Sequence, residues 1–211
     1  NLRTLGVKGE NLPNVQYQLD DPRAYGGETI IVVGAGDAAI ENALALAEND
    51  NRVILLNRNA EFSRCKEGNL SAIQAAIREN LLACRYSTSI DHMEALAKAD
   101  PAQQTNVNAT MMVQVADLSK RQKGRVSKPG LQVVLNTPQG EETIECHRII
   151  GRLGAIPPRK LVEGFGIRFG SKDPTALPAL SPTYESSVPG LYVVGALGAY
   201  PLIKQAMNQG Y

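Results

Sequence analysis

The apolar positions of this chain come in two rhythms. Glu28-Thr29-Ile30-Ile31-Val32-Val33 and Arg52-Val53-Ile54-Leu55-Leu56-Asn57 are nearly unbroken β-branched or aliphatic runs, the pattern of parallel strands covered on both faces. Between them, Ala38 through Glu48 is rich in Ala, Leu and Glu, and Ile40, Ala43, Leu44 and Ala47 recur at helical spacing. That stretch predicts an amphipathic helix, closed by Asn49-Asp50-Asn51. Together these segments form a strand–turn–helix–strand unit with a right-handed crossover. Further on, Ile73, Ala76, Ile77, Asn80 and Leu81 share a helical face, with Asn69 or Ser71 as cap. Cys84 to Ser89 predicts a third strand, and Met93 to Ala99 has helical character.

Beyond Pro101 a polar stretch predicts a surface insertion. Met111–Val115 and Leu131–Leu135 then read as strands on either side of a basic loop. Thr137-Pro138-Gln139-Gly140 is a turn, with Glu142–Cys146 as its return strand and Arg148-Ile149-Ile150-Gly151 as a further short apolar run. After Pro158, Gly and Pro become frequent and helical periodicity disappears until Leu202. Within that region Pro189-Gly190 is a turn into a buried strand, Leu191–Gly195, and Pro201–Met207 begins a helix. The fold class expected is α/β: a Rossmann-like domain with a parallel sheet plus an antiparallel hairpin or meander. Three segments follow: 1–27 as an entry segment or linker from a preceding domain, 28–156 as the nucleotide domain, and 157–211 as a partial return segment. Asn1-Leu2-Arg3-Thr4 lacks an initiator Met, and Asn208-Gln209-Gly210-Tyr211 stops within a pattern, so a piece of a longer polypeptide is expected.

Composition adds exclusions. The 211 residues are 43% hydrophobic and 20% charged, with a formal net charge of +1, an ordinary globular balance with no global field toward nucleic acid or anionic membranes. No apolar run approaches the roughly 20 residues that span a bilayer. The three cysteines, Cys65, Cys84 and Cys146, form no CxxC pair, which points to a reducing, cytoplasmic setting. Cys146-His147, with His92 the only other histidine, reads as a buried thiol beside a strand-end imidazole, and no metal site is expected. Lys120-Arg121-Gln122-Lys123-Gly124-Arg125 with Lys128 has no interleaved aromatics to stack bases, so it reads as a solvated loop.

The candidate chemistry lies where the first strand meets the first helix. Gly34-Ala35-Gly36-Asp37-Ala38-Ala39 is a GxGxxA turn. In such a turn the first Gly allows the sharp exit from the strand and the second admits a pyrophosphate to the backbone. The small third residue lets helix and sheet close up, and main-chain N–H groups and the helix dipole face the phosphates. At the end of the second strand, Asn57-Arg58-Asn59-Ala60-Glu61-Phe62-Ser63-Arg64 places no acid where NAD's ribose would need one. Arg58 and Arg64 instead suit the 2′-phosphate of NADP(H), a preference of about 100-fold if both engage it.

With these pieces in place, the sequence resembles the nicotinamide-dinucleotide domain of thioredoxin-reductase-like flavoproteins. The similar stretches are Val32–Glu41, Asn57-Arg58-Asn59 with Arg64, and Ile150-Gly151-Arg152-Leu153-Gly154-Ala155-Ile156-Pro157. Pro189–Gly195 and Pro201–Ala206 follow in the family's order. The resemblance implies NADPH as ligand, FAD in the full-length protein and hydride transfer between them, with an FAD domain of the same parent chain as partner. It implies the cofactor-binding set Gly34, Ala35, Gly36, Asp37, Ala38, Ala39, Glu41, Asn57, Arg58, Arg64 and Gly151, no catalytic side chain, and an isolated fragment without activity. The final electron acceptor is unknown, and a homodimer stays open. No cysteine precedes Cys65, so the sequence is similar to the CxxC-lacking branch, with bacillithiol-disulfide-reductase-like proteins and ferredoxin–NADP reductases. Gly195-Ala196 stands where the family has Gly-Asp, whose Asp holds the flavin's ribityl chain. Two alternatives therefore remain: an NADP(H)-sensing regulatory module without catalysis, favoured by Gly195-Ala196, and a methyltransferase-like nucleotide domain.

Overall fold

A computed structural model describes residues 2–63, 65–96, 130–155, 159–173, 176–200 and 203–210. The chain divides into two compact units, Thr4–Leu153 and Asn1–Arg3 with Gly154–Tyr211. The larger unit contains β1 (Val15–Gln16), β2 (Thr29–Val33), α1 (Asp37–Glu48), β3 (Arg52–Leu56), α2 (Glu67–Arg78) and β4 (Ala83–Arg85). After these come β5 (Ser89–Ala95), β6 (Leu131–Thr137), β7 (Gly140–Cys146) and β8 (Arg148–Gly151). A five-stranded parallel sheet runs in the order β1-β8-β2-β3-β4, and β5-β6-β7 form a separate antiparallel sheet.

The unbroken apolar runs have a reason: the parallel sheet is covered on both faces. From β2, Ile30 and Val32 join Val53, Leu55 and Ile150 beneath Ile40, Ala43 and Leu46 of α1 and Ile73 of α2. Ile31, between them in sequence, points the other way with Ile54, Leu56 and Ile149, against Ile90, Met93, Leu131, Val133 and Leu135 of the antiparallel sheet. Each fully buried aliphatic side chain here is worth about 1.5–3 kcal/mol relative to exposure.

Several local expectations are corrected. The second helix starts at Glu67, before Asn69, and its cap position Lys66 carries no side-chain cap bond. The third strand stops at Arg85, because Tyr86-Ser87 turn with Ser87 at φ +49°. Met93 lies in a strand, not a helix. A register irregularity between Ile90 and His92 breaks the alternation that would have marked β5, and Leu131–Thr137 pairs with β5 on one side and β7 on the other. Met111–Val115 and the basic loop at 120–128 lie outside the described residues. The lead-in segment contributes β1 to the sheet edge, where Val15 pairs with Ile149. Cys146 is fully buried, and His147 Nδ1 accepts the Thr29 N–H at 2.8 Å.

The smaller unit holds α3 (Arg159–Gly164), α4 (Ile203–Gly210) and a modest core of Val162, Ile167 and Val193, to which α4 contributes no buried residue. The short α3 gave no periodic signal, since Val162 is its one buried residue. The buried strand expected at Leu191–Gly195 is not a ladder strand: its strand pairing among the described residues is an isolated bridge, Glu185 to Tyr192, although Val193 is buried. Gly195–Gly198 forms a short 3-10 turn. No described helix is long and apolar enough to cross a membrane.

Candidate dinucleotide site

The order of the sheet creates the site. From β2 the chain moves outward through β3 to β4, whereas β8 is laid on β2's other side. The carboxyl ends of β2 and β8 therefore border a topological switch point, where open α/β sheets receive ligands. Gly34 leaves β2 at φ +137°, and a Cβ there would meet the Arg152 carbonyl oxygen at 2.5 Å and Ala39 Cβ at 3.2 Å. Residue 34 must therefore be glycine for both backbone and packing reasons. Gly36 differs: it caps α1 in extended conformation with no side-chain cap bond, and nothing lies within 4 Å of a Cβ built there. A side chain at 36 would begin in open space beside the first turn of α1. Ala39 is fully buried against the sheet, whereas Ala38 is exposed.

Asp37 has partners inside the chain. Its Oδ1 accepts the Lys66 N–H at 2.8 Å and an Asn69 Nδ2–H at 2.8 Å. Asn69 Nδ2 also donates to Glu41 Oε1 at 3.0 Å. The Lys66 N–H, followed by the Asn69 amide, holds the Asp37 carboxyl below the usual carboxylate range. Asp37 thus supplies, from α1, the cap that α2 lacks. Nothing near Asn69 in sequence signals this, because the partners lie 29 to 32 positions apart.

At the end of β3, Asn57 is fully buried and Arg58, Asn59 and Ala60 are exposed. Arg58 has no side-chain partner among the described residues, and the end of β3 carries no carboxylate. Arg64 lies outside the described residues. Gly151 ends β8 beside Val33, and a Cβ there would fall 2.8 Å from the Tyr17 ring. The sequence reading missed this packing partner. Arg152, also passed over, donates from Nη1 to the Tyr17 carbonyl at 3.1 Å, and its buried Nε has no partner among the described residues. It adds a positive charge at the same end of the sheet.

The cysteines are not arranged for thiol chemistry. Burial pushes Cys84 up to about 11 and Cys146 up to about 12. Burial, then the Asp37 charge, also raises Cys65. A recess of about 680 Å³ bounded by Asp20–Arg23, Ala45, Glu48 and Asn49 lies at the opposite end of α1 from the glycine turn. Its lining carries three carboxylates and one arginine, the wrong charge for a phosphate ligand.

Over 60 residues the chain is 42% identical to a ferredoxin–NADP reductase of Ignicoccus hospitalis, covering 28% of this chain and 20% of that protein. Over 202 residues it is 22% identical to a ferredoxin–NADP reductase of Halalkalibacterium halodurans, covering 95% of this chain and 49% of that protein. The fold matches bacillithiol disulfide reductase Bdr from Staphylococcus aureus with a TM-score of 0.74 at 17% identity, over 99% of this chain and 56% of the other. The chain thus spans about half the length of the relatives it matches end to end. Residues 2–195 match the pyridine nucleotide-disulphide oxidoreductase family, and the chain belongs to that family.

Proposed function

We propose that this chain supplies the NADP(H) site of an FAD-dependent oxidoreductase. One observation carries the reading: at the switch point, a glycine that cannot be replaced for packing is followed by a second glycine with open space before it. Fold stability accounts for the first and not for the second. In this reading the main-chain N–H groups of the first turn of α1, opened by Gly34, Ala35 and Gly36, receive the pyrophosphate. Asp37 and Ala38 hold that turn, and Ala39 seats the helix on the sheet. Arg58 meets the 2′-phosphate, with Arg64 assigned the same role from sequence. Glu41 lies toward the nicotinamide half by family resemblance, and Gly151 belongs to the same cofactor-binding set.

The residues present fit NADPH: a helix N-terminus with no side-chain cap bond and, among the described residues, an Arg58 guanidinium without a side-chain partner and no carboxylate on the end of β3. When bound, NADPH supplies a hydride, for which the flavin of the complete oxidoreductase is the proposed acceptor. The side chains named here bind and orient the nucleotide; hydride transfer requires none of them to move a proton. The flavin is not matched in the same way. Gly195 N–H already donates to Gln209 Oε1 at 2.8 Å, and Ala196 offers no carboxylate. The flavin assignment therefore rests on family membership.

Calorimetric titration tests the nucleotide site. The chain is expected to bind NADPH more tightly than NADH and to catalyse no reductase turnover alone. Arg58→Ala should cost NADPH about tenfold or more in affinity and leave NADH nearly unchanged. Equal affinities in the wild type, or an unaffected NADPH affinity in the variant, sinks the assignment. The Gln209 bond to Gly195 favours a second reading, an NADP(H)-sensing module without flavin. A flavin absorbance spectrum of the complete protein separates the two. Family membership weighs against the methyltransferase alternative.

A further inference from the structure

On the nucleotide reading just given, we infer that Asn57 and Asn69 are positioning residues that set NADP(H) selectivity by fastening both ends of the β3–α2 segment, from which Arg58 projects. An exposed arginine is a weak discriminator by itself, because its many rotamers and solvation dilute any single contact. Selectivity requires that its root be fixed.

Asn57 fixes it. Expected from the sequence to touch the cofactor, the residue is instead fully buried with its amide bonded within the chain, so it does not face a ligand. Its Oδ1 accepts the Asn59 N–H at 2.9 Å and its Nδ2 donates to the Glu61 carbonyl at 3.0 Å. Its own N–H donates to Arg85 O at 2.9 Å, and its carbonyl accepts the Thr88 N–H at 3.1 Å. Asn59 O in turn accepts the Ser87 N–H at 3.0 Å. Arg58 is thus held between two residues that are each tied to the turn after β4. Aspartate would keep the first side-chain bond but has no proton to donate to the Glu61 carbonyl.

Asn69 fixes the other end. It gives one amide hydrogen to Asp37 and the other to Glu41, while the Lys66 N–H joins the same Asp37 oxygen. The exit of the β3–α2 segment is thereby joined to the first turns of α1, which carry the pyrophosphate turn. In between, Phe62 packs edge-on against Tyr86 with ring centroids 5.7 Å apart. The two phosphate-binding regions are therefore linked through side chains that touch neither phosphate.

The test titrates NADPH and NADH into the 211-residue chain and into Asn69→Ala, Asn57→Ala, Arg58→Ala and the double variant Arg58→Ala/Asn69→Ala. Asn69→Ala and Asn57→Ala are each expected to lower the NADPH-to-NADH affinity ratio by about tenfold, chiefly through NADPH. In the Arg58→Ala background, Asn69→Ala should change the ratio no further, since its effect acts through that arginine. Should Asn57→Ala fail to fold, the Asn69 pair decides alone. The inference is overturned if Asn69→Ala leaves the ratio intact, weakens both nucleotides equally, or acts undiminished without Arg58. A wild type that binds neither nucleotide overturns the nucleotide reading itself, a distinguishable result.

Discussion

The two glycines of the turn separate what a single residue does for folding from what it does for binding. A Cβ at Gly34 would meet a backbone oxygen at 2.5 Å, at a φ of +137° that side chains rarely adopt. Gly34→Ala should therefore destabilise the fold by about 3 kcal/mol or more, measured by urea unfolding. Gly36→Ala puts its methyl into open space and should cost about 1 kcal/mol or less, as a change of cap residue. It should nonetheless weaken NADPH binding by about tenfold or more, since the methyl stands where a phosphate would approach. A Gly36→Ala protein that binds NADPH normally would show that the space is not the nucleotide's. The separate reasons for the two glycines were expected from the sequence, but the contact that forbids a side chain at 34 was not. The reason for Gly34 is a carbonyl at Arg152, more than a hundred residues away, that no local pattern reveals.

At the level of elements, legibility followed how each element is stabilised. The β2–α1–β3 unit was readable because burial on both sheet faces and one helix face leaves its period in the chain. The start of α2 was not. Its cap comes from Asp37 on another helix, whereas the two local residues suited to capping, Asn69 and Ser71, both lie inside the helix. The misreading of Met93 has a similar origin, since an irregularity in β5 shifts which side chains face the core. The borrowed cap carries a pH dependence. The folded-state pKa of Asp37 is depressed, so its contribution is present above the ordinary carboxylate value of about 3.9 and is lost as pH falls through the lower folded value. The stability gap between wild type and Asp37→Asn is thus expected near neutral pH and should close below about pH 4, as followed by denaturant midpoints. A gap that does not change with pH would mean that the carboxylate charge contributes nothing to joining α1 and α2.

For the molecule as a whole, the family and the α/β class were visible in the order of weak motifs, whereas the extent of the folded unit was not. The first 27 residues read as a linker, because two-residue strands carry no periodic signal. Yet Val15 and Gln16 pair with β8, the Asn14 side-chain amide donates to the His147 carbonyl, and Tyr17 lies over Gly151. Expression of residues 28–211, the boundary a motif search suggests, is expected to give a protein that self-associates, scored by light scattering against the 211-residue chain. A monodisperse, NADPH-binding product would show that β1 is dispensable. Beneath this lies a rule of assembly: β8 comes last into the parallel sheet and, without the lead-in, would become its outermost strand, with open hydrogen-bonding groups that invite a neighbour. The opening residues thus act as a selvedge, finishing the margin of the sheet so that it does not unravel into association with its own copies.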